Sequence, residues 1–121
     1  MAYRLIGRAE DQIDRILLAS ASEGVIEAAA RYHRLMLAAM AAVGDNSVLP
    51  GSRNIPRVAG LKAFPLRLAR RLVEPEHVVR SPRHVIIYRT GPDCVVEILS
   101  LVHDRMLLTR AARRARRETG G

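Results

Sequence analysis

The residues of this sequence that are best suited to proton transfer lie at the end of a hydrophobic run. The segment VVEILSLVHDRML, residues 95–107, stops at His103 and Asp104 and then passes into arginines. A free histidine titrates near neutral pH, which gives His103 a side chain suited to moving protons. Three arginines supply the positive charge that a phosphate would need as negative charge develops on it: Arg83, Arg89 and Arg105. The alternative is that His103 only ends a strand, capped by its own turn or packed on helices.

The positive charge is concentrated in one part of the chain. The 121 residues carry a net charge of +8. Residues 1–50 hold five arginines against six acids, whereas residues 51–121 hold fifteen basic residues against six acids. The basic part should attract a nucleic acid, an acidic protein segment or a phosphate-bearing ligand, and a solvated basic face is the alternative.

Other kinds of site are not favoured by the sequence. The single cysteine, Cys94, allows no intrachain disulfide, so we expect a protein of the reducing cytoplasm, and the neighbours of Cys94 indicate a hairpin turn rather than a nucleophile. His77 and His84 have no companion at the spacing of metal ligands, so we predict no metal and no cofactor. The longest apolar run has nine residues, too few for a membrane span.

The first part of the sequence predicts one strand and two helices. Residues 3–6 alternate as a short strand that ends at Gly7. Helical periodicity then predicts helices over residues 8–22 and 25–43, and their short link makes them an antiparallel hairpin. The second helix carries an apolar stripe that includes a helix histidine: Ile26, Ala29, Ala30, His33, Leu37 and Met40. Five more residues make its second half apolar nearly all round: Leu35, Met36, Ala38, Ala39 and Ala42. We therefore expect the sheet to cover one side of this helix and the first helix or a partner to cover another.

The second part predicts strands and a final helix. Residues 63–68 predict a strand, and Pro65 suits a sheet edge. The strongest pattern is a pair of β-branched runs, residues 85–89 and 95–102, that flank Gly-Pro-Asp and predict an antiparallel hairpin of central strands. A helix should follow, with Asp104 capping its start and its arginine-rich second half frayed. Residues 47–60 predict a loop, and residues 74–82 predict a second loop with a short strand.

Together these elements predict a single α+β domain over residues 1–121. An N-terminal strand and an antiparallel helical hairpin pack on a small, mostly antiparallel sheet, and a C-terminal helix follows. The arginine-rich C-terminal extension covers about residues 108–121.

This order, with the segments FPLRLARR, SPRHVIIYRTG and VVEILSLVHDRM, resembles the ParE toxins of the RelE/ParE superfamily of type II toxin–antitoxin proteins. Tyr88 and Arg89 close one central strand as in that family, and Val102, His103 and Met106 match its Val-(Leu)-His-x-x-Met ending. The resemblance covers roughly residues 3–110. It implies a non-enzymatic toxin of the plasmid-stabilising kind that poisons DNA gyrase and is neutralised by a ParD-like antitoxin. The implied antitoxin or target contacts are Arg67, Arg70, Arg71, Arg83, Arg89, His103, Arg105 and Met106.

Two other functions stay open on the residues. The RelE branch of the superfamily cleaves messenger RNA on the ribosome, and the corresponding catalytic set would be Arg83, Arg89, His103 and Arg105. No Tyr, His or Lys follows Asp104 to supply the C-terminal acid or base of that branch, which favours the non-enzymatic reading. The chain also departs from ParE proteins by its longer connection over residues 48–81 and its arginine-rich end. A plain nucleic-acid-binding module, resting on the basic part alone, is the third hypothesis.

Overall fold

The computed structural model describes residues 3–22 and 26–120. The order of elements is strand, two helices, four strands and a helix, with two short 3-10 helices before the fourth strand. The elements are β1 Tyr3–Leu5, α1 Ala9–Ser22, α2 Ile26–Asp45, β2 Arg53–Asn54, β3 Lys62–Pro65, the 3-10 helices Leu66–Leu72 and Pro75–His77, β4 His84–Thr90, β5 Val96–His103 and α3 Leu108–Glu118. The predicted α+β class is confirmed.

The five strands form one mixed sheet in the order β1-β5-β4-β3-β2. β1 runs parallel to β5, and the other neighbours are antiparallel, so the predicted hairpin of β4 and β5 is present. β2 was not predicted, because two exposed residues within a loop composition carry no strand pattern. In the predicted second loop, the described backbone contains a 3-10 turn and no strand.

The strand predicted over residues 63–68 is shorter than expected. β3 ends at Pro65, and the chain continues as a 3-10 helix in which Leu66 and Ala69 are buried. This i, i+3 spacing matches the three-residue period of a 3-10 helix. Pro65 pairs with Val85 of β4 on one side, but β2 does not extend far enough to pair with it on the other side. The missing N–H of Pro65 therefore breaks no hydrogen bond to β2, in agreement with the expected edge position.

The sheet is covered on both faces. The α1–α2 hairpin packs on one face, where Ile86 and Tyr88 of β4 point into its core. Val85 and Ile87 point to the other face, where they meet α3 and the loop over residues 55–61. Because both faces are covered, the central residues of β4 and nearly all of β5 are buried.

The central apolar stripe predicted for α2 is not its buried face. Ile26 and Leu37 are 75% and 43% exposed, His33 is exposed, and Met40 is the buried member of the predicted set. The buried face instead consists of Tyr32, Leu35, Met36, Ala39, Met40 and Val43. The helix is apolar nearly all round, so hydrophobicity alone could not determine which side meets the sheet. The predicted stripe is largely the outer face of the hairpin.

The C-terminal helix begins later than predicted and is helical to Glu118. α3 starts after Leu107 without a side-chain cap, so the prediction that Asp104 caps it is wrong. Asp104 lies in the preceding turn, where its carboxylate forms an ion pair with Arg83 at 3.2 Å. The helix packs through small residues, which permit a close approach to the sheet: Ala111, Ala112 and Ala115. Its predicted fraying is absent: the Thr109 hydroxyl donates to the Pro56 carbonyl and the Arg116 guanidinium to the Ala59 carbonyl.

Candidate functional site

A β-bulge places two histidines opposite each other. Tyr88 pairs with Ile98, but Ile87 pairs with Ser100, so Leu99 is an extra residue in β5. The register therefore shifts by one residue, and His84 faces His103 where a regular ladder would have placed Val102. The two rings meet edge to face with centroids 5.5 Å apart. We call His84, His103, Tyr32, Arg83 and Asp104 the histidine cluster.

Tyr32 of α2 fixes the orientation of His84. The Tyr32 Oη lies 2.5 Å from Nδ1 of His84, and the backbone N–H of Arg83 donates to the same oxygen at 3.3 Å. The Tyr32 hydroxyl is the donor when the neutral His84 ring carries its proton on Nε2, and Nδ1 is the donor in the other tautomer. Burial raises the pKa of Tyr32, so its hydroxyl remains protonated and able to donate.

The surroundings keep His84 neutral. Burial lowers the pKa of His84, and a positive charge on His103 would lower it further, while the Asp104 carboxylate opposes both effects. The net effect is a lowered pKa, so His84 favours the neutral imidazole.

His103 is held by the turn that follows β5. Its Nδ1 accepts from the backbone N–H of Arg105 at 3.1 Å and lies 3.2 Å from a carboxylate oxygen of Asp104. The two contacts need opposite states of Nδ1, which accepts from the amide when it carries no hydrogen and donates to the carboxylate when it carries one. Nδ1 of His103 therefore has a partner in either case. This is the turn-capped geometry that the sequence offered as the alternative to a functional role.

Of three cavities that His84 and His103 line, two are larger than the third. One, of about 380 Å³, is lined by five of the eight predicted contact residues: Arg67, Arg83, His103, Arg105 and Met106. The other, of about 540 Å³, opens toward the helical hairpin and is lined by Arg15, Tyr32, His84 and His103 among others. The histidine pair is therefore accessible from both sides, with arginines nearby in each case.

The remaining predicted contact residues lie elsewhere. Arg70 and Arg71 are exposed on the 3-10 helix, and Arg70 donates to the Arg67 and Arg80 carbonyl oxygens. Arg89 is at the opposite end of β4 from Arg83 and binds Glu97 at 2.8 Å. The four-residue catalytic set of the ribonuclease hypothesis is therefore not brought together, because Arg89 is separated from His103 by the length of the strand.

Glu97 organises a separate network at that end of the sheet. Its carboxylate accepts from Arg89 and from Arg4 of β1, and these guanidinium groups, Arg89 first, lower its pKa. Arg4 also binds Asp93 of the hairpin loop at 2.8 Å. The network joins three adjacent strands, and its role is to hold the edge strand β1 on the sheet.

The histidine cluster has the parts of an acid–base site. It combines a neutral imidazole, a second histidine whose Nδ1 has a partner with or without its hydrogen, and guanidinium groups that suit a phosphate oxygen. Sequence reasoning missed Tyr32 and His84. The register of the predicted hairpin could have indicated His84 once the bulge was known, whereas no sequence signal pointed to Tyr32.

The described parts of the chain contain neither a cluster of metal ligands nor a helix that could cross a membrane. Within residues 3–22 and 26–120, no three His, Cys, Asp or Glu side chains are grouped so that they could hold a metal ion. No helix found there is long and apolar enough to cross a membrane. No model of a known protein family matches the sequence, and no curated protein matches it significantly.

Proposed function

We propose that this protein is the toxin of a type II toxin–antitoxin pair, which arrests growth by poisoning DNA gyrase and is neutralised by a ParD-like antitoxin. The observation that carries the proposal is the placement of the two ParE-like motifs within the fold. Tyr88 and Arg89 lie at the end of one central strand, and Val102 and His103 end its neighbour, on a sheet packed against a helical hairpin. The proposal rests on this resemblance of sequence and architecture.

The outer face of α2 supports binding of an antitoxin. Ile26, Ala30 and Leu37 are exposed there at helical spacing, so an apolar stripe faces outward on the hairpin. An amphipathic partner segment would bury this stripe, and its acidic residues would suit the basic part of the toxin. The engagement of Arg89 by Glu97, away from His103, further favours a non-enzymatic mode of action.

The first test is to express the protein alone in bacteria and to follow colony counts, DNA breaks and transcript integrity together. We expect growth arrest with DNA breaks and intact messenger RNA. Normal growth with soluble, folded protein would refute the proposal, and arrest without DNA breaks would refute the assignment of gyrase.

A matched pair of variants tests the antitoxin face. Leu37→Asp places a charge on the outer stripe and should preserve toxicity while abolishing rescue by a co-expressed antitoxin. Val48→Asp is the control, because Val48 is also exposed, at 66% against 43%, but lies in the loop that follows α2 and outside the implied contact residues. Equal loss of rescue in both variants would contradict docking on α2.

A ribosome-dependent ribonuclease is the second candidate, favoured by the histidine cluster. Its catalytic set would be Arg83, His84 and His103, with Arg105 nearby, and would not include Arg89. This function requires cleavage of messenger RNA that His84→Ala or His103→Ala abolishes. Arg89→Ala should then impair folding more than cleavage by the folded fraction. Intact transcripts after expression would exclude this candidate.

A further inference from the structure

A cleft rich in arginine separates α3 from the loop around β2. Its volume is about 720 Å³, and apolar atoms of Pro56, Leu107 and Leu108 line it together with Thr109 and Asn54. Five arginines surround it: Arg53, Arg57, Arg110, Arg113 and Arg117. No acidic residue lines this arginine cleft, which adjoins the 380 Å³ cavity at Arg53 and Leu108.

The five guanidinium groups lack protein partners. Within the described part of the chain, none of them forms a hydrogen bond or an ion pair. Their neighbours on the same helix differ: Arg114 lies near Glu118, and Arg116 donates to the Ala59 carbonyl. Five unneutralised cations around one cleft repel each other, and a polyanion would remove that repulsion.

The arginines of α3 form a regular row. Arg110, Arg113 and Arg117 follow i, i+3, i+7 spacing on the exposed side of the helix, opposite the alanines that pack on the sheet. At 1.5 Å rise per residue the row extends over roughly 10 Å. Phosphates along one strand of B-DNA advance about 3.4 Å each, so the row spans about three phosphate steps. Arg53 and Arg57 face it from the other wall of the cleft.

The lining favours duplex DNA over other polyanions. An acidic amphipathic peptide would need apolar anchors along the helix, but beyond Leu108 the exposed positions of α3 are charged up to Glu118. Single-stranded nucleic acids are held by stacking on aromatic side chains, and no aromatic residue lines the cleft. Guanidinium groups bind phosphate oxygens in pairs of hydrogen bonds, which suits an arginine-lined cleft to the phosphate backbone of a duplex.

We propose that the arginine cleft binds the phosphate backbone of double-stranded DNA without reading its sequence. This function does not depend on the toxin proposal and uses none of the residues of the histidine cluster. The cleft offers no Asn or Gln row and no ordered set of base-reading side chains, so affinity should depend on salt far more than on base sequence.

The test is fluorescence anisotropy of a labelled 20-base-pair duplex with the full chain, between about 50 and 200 mM salt. The triple variant Arg110→Gln, Arg113→Gln, Arg117→Gln removes the row while keeping residues of similar helix propensity. It should bind at least tenfold more weakly, and its slope of log K against log salt should fall by about 2.7, from three lost phosphate contacts. The control Arg31→Gln, Arg34→Gln, Arg80→Gln has the same net charge and should keep the native slope. Equal losses in both would overturn the proposal.

A second variant avoids any effect on the helix. Arg53→Gln with Arg57→Gln changes the opposite wall and should lower the salt slope by about 1.8. Circular dichroism and thermal unfolding verify that each variant is folded. Unlabelled poly-glutamate and single-stranded DNA of equal charge serve as competitors, and we expect the duplex to bind more tightly than either. If poly-glutamate or single-stranded DNA competes better than the duplex, the cleft has a different partner and the proposal fails.

Discussion

The hydroxyl of Tyr32 connects α2 to the strand that carries His84, and Tyr32→Phe removes only this hydroxyl. The hydroxyl forms a hydrogen bond with His84 Nδ1 and accepts a second one from the backbone N–H of Arg83. Loss of a hydrogen bond that leaves a buried partner unsatisfied costs about 1–3 kcal/mol, and the aromatic contact with the histidine ring is kept. An unfolding entropy of about 2.1 cal/mol/K per residue converts this to a decrease in Tm of about 4–12 °C for a chain of this length.

Thermal and urea unfolding measure the loss of stability, and NMR titration of the ring protons measures the pKa of His84. We expect that pKa to change in Tyr32→Phe, because Nδ1 of His84 loses its hydrogen-bond partner. Tyr3→Phe is the control, since Tyr3 is half-buried and its hydroxyl binds no residue among those described. A Tm unchanged within error together with an unchanged pKa would refute the geometry of the histidine cluster.

Two further predictions concern charge. Burial lowers the pKa of His84, so the unfolded chain binds its proton near pH 6.5 while the folded chain resists it, and stability should fall as the pH drops below about 6.5. His84→Gln should flatten this decline in urea unfolding series at successive pH values; an unaltered decline would contradict the assignment. Glu97→Gln should cost about 1.5–3 kcal/mol in the free energy of unfolding, because Glu97 is only 11% exposed and accepts from Arg89 and Arg4. Asp93→Asn changes an exposed carboxylate and should leave the free energy of unfolding nearly unchanged. A loss of stability as large as that of Glu97→Gln would contradict the greater contribution assigned to Glu97.

The hairpin was predictable from sequence because local chemistry determines it. β-branched runs flank a Gly-Pro-Asp turn, and the loop closes with Gly91 bonded to Val95 and with Cys94 in a left-handed conformation. The face of α2 was not predictable in the same way. Its many alanines bury equally well on any side, so the tertiary fit of Tyr32 and Met36 decides the orientation.

The candidate site was predictable only in part. Arg83, His103 and Arg105 come together because they lie at the adjoining ends of two strands that the sequence already paired. The opposition of His84 and His103 depends on one extra residue in β5, and a bulge has no signature in this alternating run. Arg89 does not join this site, because it lies at the opposite end of β4 from Arg83 and binds Glu97 there.

The pairing of β1 with β5 determines the order in which the protein can assemble as it is synthesised. Tyr3 pairs with Val96, so the first strand cannot join the sheet until about 93 further residues have been synthesised. At typical translation rates of about 5–20 residues per second, that delay is roughly 5–20 s. During this interval the α1–α2 hairpin exists without its sheet, with Leu35, Met36 and Met40 uncovered. The nascent chain is therefore most open to chaperones, or to a partner made beside it, before its last two strands appear.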